Sequence, residues 1–135
     1  MPIEFINPAS MHQSPAFTQA IAVSGTAKTV YIGLQFAQDA GGNVVGAGDV
    51  VAQTVQALKN LDACLETAGA GHEHIVRLGI YVAQGQDMME AATAGMQWWG
   101  MQPNPPTNSV MFVAGFFPSE YLVGIEGIAV VPQAM

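Results

Sequence analysis

Apolar and polar positions alternate along this chain with two different periods, and the changes of period mark out its elements. From Pro15 to Val23 the chain is apolar and β-prone. Ser24-Gly25-Thr26-Ala27 then carries turn residues, and Thr29 to Leu34 resumes a strand pattern, so the spacing predicts a hairpin. Glycines at 41, 42, 46 and 48 punctuate a loop. Behind Asp49, a capping residue type, Val51, Val55, Leu58, Leu61, Leu65 and Ala68 recur at helical spacing until Gly69 stops them. Ile75 to Ala83 returns to period two, with Val76, Leu78, Ile80 and Val82 on one face and Arg77, Gly79 and Tyr81 on the other. Asp87 and Glu90 have capping-box spacing ahead of a second helix through Met88, Ala92, Met96 and Trp99, which Pro103-Asn104-Pro105-Pro106 should end. Strands over Asn108–Ala114 and Leu122–Val131 complete the pattern, joined through Phe117-Pro118-Ser119-Glu120. The order β-β-α-β-α-β-β implies an α+β domain over residues 1–135, a mixed sheet with two helices on one face. The other face is left for a partner subunit.

Charge narrows the function classes. Ten carboxylates stand against Lys28, Lys59 and Arg77, for a net charge of −7. Charged residues make up 10% of the chain, against roughly 25% in an average domain. Three cations cannot build a phosphate-binding patch, so nucleic acid is not an expected partner, nor is an anionic membrane surface. So few charges on a small domain imply apolar surface covered by further copies of the chain, a homo-oligomer. No apolar run approaches the ~20 residues of a membrane span. The N-terminus has no basic region leading an apolar one, so the cytoplasm is the expected compartment. Cys64 is the sole cysteine and cannot form an intrachain disulfide.

Side chains with chemical potential are few. His72-Glu73-His74 places two imidazoles close together, but without a third ligand it reads as a solvated turn, and neither metal nor other cofactor is expected. Cys64, beside the apolar stripe of the first helix, reads as a packed thiol. The Trp98-Trp99 pair reads as packing. No glycine-rich segment has the spacing of a phosphate loop. Arg77 and Glu126 should both project onto the face opposite the helices, where a covered charge requires a partner. They are expected to pair, within one chain or across an interface, and a structural ion pair is favoured over a catalytic role.

Read end to end, the chain resembles the RidA/YjgF family of enamine/imine deaminases. Phe17-Thr18-Gln19-Ala20 is similar to the family's Tyr-Ser-Gln-Ala, and Val30-Tyr31-Ile32-Gly33-Leu34-Gln35 to Val-Tyr-Leu-Ser-Gly-Gln. Gln53-Thr54, Asn60-Leu61 and Leu65-Glu66-Thr67-Ala68-Gly69 resemble its first helix. Ile75 to Val82 resembles its central strand, Pro106-Thr107-Asn108-Ser109 its Pro-Ala-Arg-Ser, and Ile125-Glu126-Gly127-Ile128-Ala129 its closing Ile-Glu-Ala-Ile-Ala. The resemblance implies a chorismate-mutase-like fold and a homotrimer with ligand clefts between subunits. In active members it further implies an arginine that pairs with the substrate carboxylate, helped by a backbone amide of the second strand. A glutamate there positions the hydrolytic water, and a tyrosine lines the cleft.

At the matching positions this chain differs. Asn108 stands for the arginine, Gly124 for the catalytic glutamate, Phe17 for the tyrosine and Leu34 for a strand glycine. Asparagine offers no charged fork to a carboxylate. Gly124 should free volume where a carboxylate stood. The cleft residues are then Phe17, Gly33, Leu34 and Tyr81, together with Asn108, Phe116 and Gly124. Such a cleft suits a larger, less charged small-molecule ligand. Hydrolysis of 2-aminoacrylate-like imino acids is expected to be lost or very weak. If chemistry remains, Asn108 would orient the substrate while Glu126 or Glu120 acts through water. The alternative is a trimeric binding or regulatory module without catalysis. Ribonuclease or translation-inhibitor activity ranks last, because cations are lacking.

Overall fold

The computed structural model describes residues 2–134. Its strands are β1 (Ile3–Ile6), β2 (Ala20–Val23), β3 (Ala27–Gln35), β4 (Ile75–Ala83), β5 (Thr107–Val113) and β6 (Val123–Pro132). Helices α1 (Val50–Thr67) and α2 (Met88–Trp99) flank a 3-10 turn at His72–His74. Four strands form one sheet in the order β3-β6-β4-β5. Only the β4–β5 pair is parallel, and α2 supplies the crossover that a parallel pair requires. The α+β class and the two-helix, mixed-sheet architecture are as the periodicity predicted.

The expected hairpin is not what forms. β2 pairs instead with β1, Ile3 opposite Val23 through Ile6 opposite Ala20, in a separate two-stranded sheet. The long β6 occupies the ladder of β3, from Ala27 opposite Pro132 to Gln35 opposite Ile125. A ten-residue strand offers β3 far more hydrogen bonds than the four-residue β2.

Asp49 caps α1 as expected, its Oδ1 accepting from the amides of Val51 at 3.1 Å and Ala52 at 3.0 Å. The buried stripe is rotated from the expected one, however. Val50, Ala57, Leu58, Leu61 and Leu65 face the core with Gln53 and Thr54, while Val51 and Val55 are exposed. Gln53 is tolerated there because it is saturated. Its Nε2 donates to the carbonyls of Gly46 (3.2 Å) and Glu120 (3.0 Å), and its Oε1 accepts from the Leu122 amide at 2.8 Å. One side chain thus fastens the segments that precede α1 and β6. Cys64 is exposed rather than packed.

On β4 a register shift between Ile75 and Arg77 brings Ile75, not Val76, into the core beside Leu78 and Val82. Asp87 caps α2 through the amides of Met89 (2.9 Å) and Glu90 (3.1 Å). The helix stops at Gly100, φ 71°, before the prolines are reached.

Candidate ligand site

Each sheet face carries part of the residues singled out by sequence. On the face away from the helices, Arg77, Gly79 and Tyr81 of β4 lie beside Ser109 of β5 and Glu126 and Gly124 of β6. Gly79 is needed here, because a Cβ would come within 2.7 Å of the Tyr81 hydroxyl and 2.9 Å of Glu126 Cγ. The bare backbone lets the Tyr81 ring fold over the strand toward Glu126. That carboxylate accepts the hydroxyl's hydrogen bond and, with burial and its own negative charge, holds the Tyr81 pKa above its ordinary value. Arg77 opposes the shift and donates Nη1 to Ser109 Oγ at 3.3 Å. The expected Arg77–Glu126 ion pair is absent within the chain, since the ion pairs among the described residues are His72–Asp62 and His74–Glu73. Tyr81 stands between the two charges and engages both.

Two residues along β6, Gly124 meets Leu34. Between Ile32, opposite Gly127, and Gln35, opposite Ile125, the pair Gly33 and Leu34 faces the single residue Glu126. This bulge turns the Leu34 side chain onto Gly124, where a Cβ would lie 3.0 Å from both Cγ and Cδ1 and 3.1 Å from Cδ2. The volume at Gly124 is therefore filled by Leu34, contrary to the expectation that it is free. A Cβ at Gly33 would meet nothing within 4 Å.

Phe17 and Asn108 come together on the other side. Thr18, almost fully buried, donates its hydroxyl to the Pro105 carbonyl and its amide to the Pro106 carbonyl at 3.1 Å. This fastens the 15–19 segment beside the start of β5, where Asn108 Nδ2 reaches the Ala16 carbonyl at 3.4 Å. In register, Asn108 and Val110 stand beside Leu78 and Ile80, on the helix side. Phe17 and Asn108 sit at a cavity of about 530 Å³ bounded by α1, α2 and the strands β4, β5 and β6.

The remaining candidates lie elsewhere. Phe116 meets Phe36 edge-on at 5.3 Å, and Phe36 stacks on Tyr121 at 4.7 Å. Glu120 is exposed, its carbonyl held by Gln53. Within one chain, then, the predicted cleft is two half-sites, Phe17 with Asn108 at the β5 edge and Leu34 with Gly124 toward the β3 edge.

His72 is not a solvated turn residue. Its Nε2 lies 2.7 Å from Asp62 Oδ1, its Nδ1 lies 3.0 Å from Gln102 Nε2, and its ring sits 4.2 Å from that of Trp98. Trp98 Nε1 donates to Asp62 Oδ2 at 2.9 Å and Trp99 Nε1 to the Gln102 carbonyl at 3.0 Å. The network locks the end of α2 to α1. Sequence reading missed it because Asp62, His72 and Gln102 are far apart along the chain.

Among the described residues, no helix is long and apolar enough to cross a membrane. Residues 9–131 match the model of the family described as Endoribonuclease L-PSP. A RutC family protein from Synechocystis sp. is 31% identical over 127 residues, covering 89% of this chain and 92% of that protein. Among solved structures, YyfB of Yersinia pestis, from the conserved Rid protein family, superposes with a TM-score of 0.83 at 34% identity, covering 97% of this chain and all of that one. Escherichia coli TdcF, solved with bound serine, shares the fold with a TM-score of 0.68 at 24% identity, covering 78% of this chain and 81% of its own.

Proposed function

This chain belongs to the endoribonuclease L-PSP family, the RidA/YjgF proteins, and on that premise we propose that it binds a neutral or bulky imine- or enamine-like metabolite and converts it, 2-aminoacrylate-type deamination having been lost. The observation that carries this reading is the Leu34–Gly124 contact. Where the family resemblance puts a water-positioning carboxylate, a leucine side chain covers bare backbone. The Asn108 amide, in place of a guanidinium, can hydrogen-bond a neutral group but cannot neutralise a carboxylate. Both changes act against small anionic substrates.

A homotrimer is part of the proposal. β3 and β5 are the two edges of the four-stranded sheet, and the half-sites lie toward opposite edges. Head-to-tail association in a closed ring sets the Asn108 side of one copy against the Leu34 side of the next. The open face has the matching surface, with Tyr31, Leu34 and Met111 exposed around the half-buried Arg77, Tyr81 and Glu126. A nucleolytic role finds no support in a chain with three basic residues.

The test is hydrolysis of a panel of neutral cyclic imines and of 2-aminoacrylate, alongside Asn108→Ala. Turnover of a neutral imine that falls at least roughly tenfold in the variant, with 2-aminoacrylate decaying no faster than in buffer, is expected. Efficient 2-aminoacrylate hydrolysis, or imine turnover indifferent to Asn108, refutes the reading. Saturable imine binding without turnover would replace conversion by a binding module.

A further inference from the structure

The cavity behind Asn108 has features that the half-site does not require. At about 530 Å³ it is within the size range of small-molecule pockets. It exists because of what α2 presents to the sheet. Ala91, Ala92 and Gly95 form the wall of α2, opposite a floor of Leu78, Ile80 and Ile125. This stretch of the helix carries short side chains or none, and α2 packs chiefly on α1. Trp98 and Trp99, held by the Asp62–His72–Gln102 network, add two indoles to the lining. Gly95 lines this space, and a Cβ there would meet nothing within 4 Å, so the position has room for a side chain.

The lining carries no ionisable side chain. Of its polar groups, the Thr54 hydroxyl is already committed to the Val50 carbonyl at 2.7 Å. Asn108 is different. Its Nδ2 makes one long bond, 3.4 Å to Ala16, and its Oδ1 has no protein partner among the described residues. An ion entering this space would lose hydration without a counter-charge, whereas an apolar body would gain contacts with the apolar lining. A lining of small residues, aliphatic strand residues and two indoles favours a flat, apolar ring system.

From this we infer that the chamber between α2 and the sheet is a specificity pocket for the ring system of an uncharged, planar aromatic or fused-ring ligand, with one neutral polar group at Asn108. The inference rests on the reading of Asn108 as a ligand-binding residue and adds the class of molecule it selects. Ligands with a small anionic body, by contrast, have nothing in the chamber to hold them.

The probe is N-phenyl-1-naphthylamine, a neutral two-ring-system dye whose fluorescence rises in apolar surroundings. The native protein should bind it saturably, with a Kd on the order of 10 µM. Gly95→Leu puts a side chain into the void and removes a helical glycine. It should weaken dye binding roughly tenfold while leaving Tm equal to or above that of the native protein. Absence of saturable binding overturns the inference. So does a Gly95→Leu protein that unfolds cooperatively like the native one and still binds the dye within about twofold of native. Imine turnover, measured on the same preparations, separates the two proposals. Asn108-dependent turnover without dye binding rejects the chamber alone. Dye binding sensitive to Gly95→Leu, without any imine turnover or binding, rejects the proposed function and leaves the chamber.

Discussion

The Leu34–Gly124 contact makes a quantitative prediction about stability. Gly124→Ala places a methyl carbon 3.0–3.1 Å from three carbons of Leu34, well inside the 3.5–4.0 Å of an ordinary contact. Leu34 lies on the edge strand and is 39% exposed within one protomer, so its side chain can turn away from Gly124. That movement gives up the covered part of three carbons beyond Cβ, about 1.5 kcal/mol at about 0.8 kcal/mol per buried carbon. Removing a glycine from a strand returns roughly 0.5–1 kcal/mol. Gly124→Ala alone should therefore destabilise by about 0.5–1 kcal/mol. In a Leu34→Ala background the obstruction is gone, and the same substitution should stabilise by roughly 0.5–1 kcal/mol. The double-mutant cycle then has a coupling energy near 1.5 kcal/mol, within the range for residues in contact. Urea unfolding followed by circular dichroism measures it, at one fixed protomer concentration, because association contributes to apparent stability. Effects that add to within about 0.3 kcal/mol would refute the contact and, with it, the argument that Leu34 covers the place of a carboxylate.

Two further predictions concern the elements around the site. Because Glu126 holds the Tyr81 pKa above 10.0, the native state retains a proton that the unfolded chain releases, so this group's contribution is complete below pH 10.0 and is lost as pH rises through the native pKa. Glu126→Gln should bring the Tyr81 titration, followed by tyrosinate absorbance, down toward 10.0 and make the alkaline loss of stability shallower; an unchanged titration would exclude Glu126 as the cause. Gln53→Leu should lower stability by about 2–4 kcal/mol in thermal or urea unfolding, because it leaves the Gly46 and Glu120 carbonyls and the Leu122 amide unpaired; a loss under ~1 kcal/mol would mean that these groups find other partners.

Much of this protein could be read before its structure was seen. The periods of two and 3.6 located β3 to β6 and both helices, because burial against a single core imposes those rhythms on every strand and helix that contributes to it. Asp49 and Asp87 announced their helices, since capping is a local interaction between a side chain and amides two or three residues on. The motif residues identified the family. The sequence by itself could not determine what depends on contacts between distant segments. β2 turns to β1 because β6, about a hundred residues away, takes the ladder of β3. Gly124 looks like vacated space until a bulge in β3 sets Leu34 upon it. His72 looks solvated until Asp62, Trp98 and Gln102 converge on it. Phe17 and Leu34 look like neighbours in one cleft, yet the side of the sheet on which each residue lies divides them within the chain. Periodicity states that a face is buried; register and the length of opposing side chains decide what it is buried against, and these exist only once the chain has folded.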